Sequence, residues 1–171
     1  VYKRQVFKNS FDHSGVQREL RQTADWTLLR TAPCPVLLVK DFHDWTHRRV
    51  LAAIDPEATD AAHTKLNNQI ISFARLFTEA YGSDAHFVTA FHDLNHPPEA
   101  EEIARAVGTP VDHIHLHHGS AADVIRATAA DLDVDLIIVG TVGRDGIKGR
   151  VVGNTSEKLL DQTHSDLLVI T

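Results

Sequence analysis

Apolar residues along this chain fall into two patterns, short unbroken runs and longer stretches in which they return every third or fourth position. Leu136-Ile137-Ile138-Val139 has no polar face, as expected of a strand covered by helices on both sides, so it is predicted to lie centrally in a parallel sheet. Arg49 to Ile54, His86 to Phe91 and Leu167 to Thr171 are read as further strands. Val111 to His117 alternates apolar with polar, which predicts a strand with one solvated face near a sheet edge. Leu66, Ile70, Phe73, Ala74, Phe77 and Tyr81 step at helical spacing and predict a helix from Asp60 to Tyr81, ended by Gly82. Ala100, Ile103, Ala104 and Val107 mark a shorter one from about Glu99 to Val107. Ser120 with Asp123, and Asn154 with Glu157, have capping-box spacing and open two more. Strands alternating with helices predict an α/β fold: a doubly wound, Rossmann-like, five-stranded parallel sheet with right-handed crossovers.

The first forty residues look like the end of a similar unit. Residues 21 to 40 read as a helix carrying Trp26, Leu28 and Leu29, a proline break, then the strand Val36-Leu37-Leu38-Val39. Thr27 to Lys40 lines up with Lys158 to Thr171 at a constant offset of 131 residues, too long for a solenoid and right for a whole domain. Residues 1–40 are therefore expected to be the tail of a first domain, 41–48 a polar linker and 49–171 a complete second domain. The chain contains no Met and is read as a piece of a longer protein, with its first five residues foreign to it.

Composition narrows the function classes. The 171 residues are 43% hydrophobic and 23% charged, within the range of ordinary globular domains. No apolar run reaches the roughly 20 residues that span a bilayer, so no membrane partner is expected. A net charge of -6 argues against direct nucleic-acid binding, which needs a basic face. Lone Cys34 can form no internal disulfide, so the expected compartment is the cytoplasm. Between Pro33 and Pro35 it reads as a small buried hydrophobe.

The candidate chemistry follows the central strand. Gly140, Gly143, Gly146, Gly149 and Gly153 precede a helix start at Asn154-Thr155-Ser156, where free N–H groups and the helix dipole favour an anion. The alternative is a strand-to-helix loop whose glycines only allow turning. Neither G-x-G-x-x-G nor the P-loop pattern is present. Asp55, before Pro56, ends a first parallel strand on the edge where open α/β sheets bind ligands, and equally reads as a turn former. His113, His115 and His117 share a strand face, but neighbours two apart are separated by roughly 6 to 7 Å. With no carboxylate pair beside them in sequence, they read as an exposed polar face. His92 and His96 flank the expected pocket mouth. Arg144, Lys148 and Arg150 could offset phosphate charge and Asp55 could orient a water, yet no residue is set up as a strong general base. Binding without dedicated catalysis is the expectation, with slow ATP hydrolysis a lesser one.

The spacing Gly140-x2-Gly143-x9-Gly153 resembles the ATP-binding signature of the universal stress protein family, G-x2-G-x9-G-[ST]. Asn154 stands at the Ser/Thr position, and an amide can also donate to a phosphate oxygen. Asp25-Trp26, Leu28-Leu29-Arg30 and Pro35-Val36, followed by Gly140-Thr141-Val142-Gly143-Arg144, look most like the tandem-domain members. The resemblance implies an adenine nucleotide, ATP with Mg. Its phosphates would be held around Gly140, Gly143, Gly153, Asn154, Thr155 and Ser156, with Asp55 lining the pocket and Val88 near the base. It also implies partners in a first universal stress domain of the same chain and in a second copy, and a regulatory role in stress resistance, including DNA damage. The glycine signature is missing from residues 6–26, so the first unit is not expected to bind nucleotide in the same way. Segment 92–107 is shorter than in typical members. The competing reading is an interaction and dimerisation module that binds no nucleotide.

Overall fold

A computed structural model of the chain describes residues 6–9, 28–29, 32–40, 44–141 and 154–170. The apolar runs become strands: β1 (Val6–Asn9), β2 (Val36–Val39), β3 (Arg49–Ala53), β4 (Asp84–Phe91), β5 (Ile114–His118), β6 (Leu136–Gly140) and β7 (Asp166–Ile170). The amphipathic stretches become α1 (Ala61–Tyr81), α2 (Ala100–Val107), α3 (Ala121–Asp131) and α4 (Asn154–Gln162). The sheet order is β1-β2-β7-β6-β3-β4-β5. The five strands β7-β6-β3-β4-β5 are all parallel, the doubly wound arrangement expected, and β6 is the middle strand of the seven.

Two strands more than expected join this sheet. β2 pairs antiparallel with β7, with Leu37 opposite Leu168, and β1 pairs parallel with β2. The registers repeat: Val6 faces Val36 as Ile137 faces Leu167, and Asn9 faces Val39 as Gly140 faces Ile170. Each residue of β1 and β2 thus has its counterpart in β6 and β7 at the offset of 131 already seen in the sequence.

Alternation along β6 divides the interior between two faces. Leu136 and Ile138 pack in a cluster with Leu66, Ile70 and Ala74 of α1 and Ile103 of α2, whereas Ile137 and Val139 pack with Val124 and Ile125 of α3 and Leu159 and Leu160 of α4. Asp60 caps α1 by accepting from the N–H groups of Ala62 and His63 at 3.0 Å, and Gly82 ends it in the left-handed region at φ 65°. Cys34 is buried. No helix among the described residues is long and apolar enough to cross a membrane.

Three boundaries differ from the sequence reading. β4 begins at Asp84, two residues before His86. Val111–His113 forms a 3-10 turn and the strand starts only at Ile114. Pro110 enters that turn at φ -58° and its carbonyl accepts from the His113 N–H at 3.1 Å, so the backbone is committed to a turn before strand pairing begins. α4 already includes Asn154 as its first residue, where a cap had been expected, and what precedes it lies outside the described residues.

At the amino edge, Asp166 ties these parts together. One carboxylate oxygen accepts from the Lys40 N–H at 2.9 Å and the other from Trp45 Nε1 at 3.0 Å. The Lys40 ammonium donates to the Leu160 carbonyl.

Candidate functional site

The strand order reverses between β3 and β6: from β3 the chain steps through β4 to β5 on one side, then returns to β6 on the other. Ligands of open α/β sheets bind outside the carboxyl ends of the strands at such a point. β3 continues into Ile54, whose N–H donates to the Val88 carbonyl at 3.1 Å while its own carbonyl accepts from the buried Thr89 hydroxyl at 3.1 Å.

Asp55 follows at that edge, exposed. Its Oδ1 accepts from the Glu57 N–H at 3.1 Å, so the side chain builds the turn around Pro56. Its backbone is clamped by one α1 residue: Asn67 Oδ1 accepts from the Asp55 N–H at 3.1 Å and Asn67 Nδ2 donates to the Asp55 carbonyl at 2.5 Å. Asn67 was missed by the sequence reading. Its signal was an amide pair, Asn67-Asn68, inside an otherwise good helix, where such residues are poor formers unless their side chains have other work.

On the β6 side, Gly140 is the last strand residue. A Cβ there would overlap the Leu66 side chain of α1, so glycine at this position is a packing requirement. The Gly140 carbonyl accepts from the Ser156 hydroxyl at 3.1 Å, and Ser156 is fully buried. Ser156 therefore faces inward and fastens the first turn of α4 to the end of β6. The hydroxyl, at a position expected to meet phosphate, clasps the helix start beside the strand end. Thr155 is half-buried in the same turn. Thr141 Oγ1 donates to the Ile170 carbonyl at 3.3 Å. Gly143 and Gly153, like Gly146, Gly149, Arg144, Lys148 and Arg150, lie outside the described residues.

Val88 stands three residues before the end of β4, its side chain 1% exposed in the cluster of α3 and α4. No side-chain contact with a ligand is open to it, and its carbonyl is already engaged by Ile54. His96 is exposed, paired with Asp93 at 2.9 Å, and helps line a hollow of about 550 Å³ with Pro56, Asn67, Ile71 and Ile103 between α1 and α2. His92 is exposed. A larger hollow of about 930 Å³, lined by His47, Asp133 and Thr163 among others, lies at the opposite, amino edge of the sheet.

His113, His115 and His117 are not a purely exposed face. His117 is exposed, but His113 and His115 are half-buried and meet β4. His86 Nε2 lies 3.2 Å from Asp84 Oδ2 and His86 Nδ1 lies 3.1 Å from His115 Nε2. The His113 ring stacks on His86 with centroids 4.4 Å apart. Burial, opposed by Asp84 and reinforced by His113 and Arg49, holds the His86 pKa below the usual imidazole value. Burial, followed by His86, His117 and His113, does the same for His115.

Known proteins match this architecture. Residues 46–171 fit the model of the universal stress protein family. The chain is 29% identical to the universal stress protein E homolog of Haemophilus influenzae, over 96% of this chain and 61% of that protein. A solved structure of a functionally unknown protein from Pseudomonas aeruginosa PAO1 superposes with a TM-score of 0.80 at 31% identity, covering 98% of this chain and 62% of that one. A universal stress protein from Archaeoglobus fulgidus shares the fold, with a TM-score of 0.76 at 19% identity over 98% of this chain and 60% of that one. The chain thus spans about three fifths of the length of these relatives. Because the family model fits from the strand β3 through β7, the whole parallel part of the sheet, the chain belongs to the universal stress protein family.

Proposed function

We propose that the crevice between β3 and β6 binds an adenine nucleotide, ATP with Mg, and that this binding regulates stress resistance through conformation or partner choice rather than turnover. The observation that carries the reading is the Ser156 to Gly140 clasp. It holds the start of α4 against the carboxyl edge at the switch point, so that N–H groups of the first helical turn are available to phosphate oxygens. Gly143, Gly153, Asn154 and Thr155 would supply those contacts, and Asp55 would reach the nucleoside end. Val88 would contribute at most shape. The cytoplasm is the compartment this reading implies.

We further propose that β1 and β2 are the end of a preceding universal stress domain, joined to the second through β2 and β7. The repeated register supports this. The same junction favours the second reading, an interaction module in which the paired domains present a surface and no nucleotide is needed.

Calorimetric titration of the full chain with Mg-ATP separates the two. Micromolar binding that is lost in Gly153→Val and weakened in Asp55→Ala is expected. A folded wild type that takes up no nucleotide would sink the first reading and leave the second.

A further inference from the structure

β4 and β5 pair in parallel with Val88 opposite His115. That register, carried two residues back, brings His86 level with His113 at the amino end of the pair, and Asp84 opens β4 just before them. Asp84, His86 and His113 each present a donor atom, all within 4.8 Å of one another. The residues come from segments nearly thirty positions apart, so sequence spacing alone could not join them.

The distances have the scale of a coordination shell. Four ligands at about 2.0 to 2.1 Å around a tetrahedral ion stand roughly 3.3 to 3.4 Å from each other. Asp84 Oδ2 is 3.2 Å from His86 Nε2, and Asp84 Oδ1 is 3.5 Å from His113 Nδ1. Without an ion, protons occupy these gaps. A carboxylate and a carbonyl only accept, so His86 Nε2–H points at Asp84, and His113 Nδ1–H points at the Ala85 carbonyl 3.0 Å away.

We propose that Asp84, His86 and His113 form a binding site for a divalent transition metal of the zinc class, with His115 orienting His86. Two imidazoles and one carboxylate suit zinc or nickel and not magnesium or calcium, which take oxygen shells. When the ion takes His86 Nε2, the displaced proton moves to Nδ1, from which it donates to His115 Nε2, whose own proton passes to Nδ1. The ligating ring then donates its second N–H to a fixed partner, the usual arrangement for a metal-bound histidine. His113 likewise carries its proton on Nε2 in the loaded state and gives up the bond to Ala85. Asp84 and His113 keep 48% and 26% of their side-chain surface, which leaves an approach from solvent and a fourth position for water. Arg49, a cation near the cluster, has its guanidinium held 2.6 Å from the Leu132 carbonyl, and that of Arg75 is held 2.7 Å from the Val107 carbonyl.

The test is titration of the chelator-stripped full chain with zinc and with nickel, followed by calorimetry. One ion per chain is expected, with affinity reduced about tenfold or more in Asp84→Asn and in His113→Gln, by the usual scale for lost metal-site groups. His96→Asn, which removes the exposed Asp93–His96 pair, should bind like the wild type. Both test positions are partly exposed, and circular dichroism of each variant shows whether its fold is intact. Absence of binding, or binding unchanged in both folded variants, would overturn the proposal. So would loss of binding in His96→Asn, which would point to scattered surface histidines. The outcome is independent of whether nucleotide binds.

Discussion

Gly140→Ala isolates what the signature's first glycine does. Gly140 is not among the residues with positive φ, so its backbone accepts a side chain and only space is at issue. A Cβ at this position would lie 2.6 Å from Leu66 Cγ and 2.9 Å from Leu66 Cδ1, well inside ordinary contact. Leu66 is 8% exposed in the apolar stripe of α1, so moving it displaces packed neighbours. Overpacking of this kind costs about 1 to 3 kcal/mol, and in a protein of this size each kcal/mol lowers Tm by roughly 2 to 4 °C. In a Leu66→Ala background, itself destabilised by about 2 to 5 kcal/mol, the obstacle is gone. There the alanine should be neutral, or stabilising by up to about 1 kcal/mol through the unfolded chain's lost freedom. Urea unfolding of the wild type, both single variants and the double variant closes the cycle, with an expected coupling of about 1 to 4 kcal/mol. An equal cost of Gly140→Ala in both backgrounds would refute the packing argument. Mg-ATP affinity of the double variant equal to that of Leu66→Ala alone would then assign phosphate contact to the later glycines.

Two further outcomes follow from buried polar groups. Asp166→Asn leaves one acceptor for the two donors, the Lys40 N–H and Trp45 Nε1, and turns an amide N–H₂ toward one of them. A loss of about 1.5 to 3 kcal/mol, the scale of hydrogen bonds to a charged group, is expected in urea unfolding, and a variant as stable as the wild type would refute the clamp. In chelator, His86 and His115 have folded pKa values below 6.5 and face Asp84, His113, His117 and Arg49. The unfolded chain therefore binds more protons below about pH 6.5, so stability should rise with pH up to that point and then level off as far as these groups are concerned. His115→Gln should flatten the slope between about pH 5 and about pH 6.5, and an unchanged slope would count against this origin.

What could be read from the chain was what local pattern encodes. The branched run at residues 136–139 marked the sheet centre because no polar residue interrupts it, and Gly82 marked the end of α1 because only its φ of 65° closes that helix. Ser120 capped α3 as its spacing implied, accepting from the Asp123 N–H at 3.4 Å. The tie of Ser156, third residue of α4, to the end of β6 was not legible, because the Gly140 carbonyl that accepts its hydroxyl lies sixteen residues back in the chain. The pairing of Asp84 and His86 with His113 depends on strand register, which no short motif records. Histidines that looked too widely spaced along one strand acquired their partners from the next.

The offset of 131 recurs in the helix-strand endings of the sequence, in the pairing of β1 with β2 against β6 with β7, and in the antiparallel meeting of Leu37 with Leu168. Two counterpart strands that meet antiparallel are related by a local two-fold axis, so β1 runs opposite to β6 and ends at the other edge of the sheet. Under the proposed tandem reading, the positions that correspond to Gly140, Gly143 and Gly153 are Asn9, Asp12 and Gln22. Each carries a side chain where the signature needs bare backbone, and Asp12 adds a negative charge that phosphate would meet unfavourably. Under that reading, the first unit's sequence is composed against an anion where the second unit's is composed for one. A two-fold pair of equivalent sites would take up two nucleotides per chain, whereas this pair should take up one, at the carboxyl edge of β3 and β6.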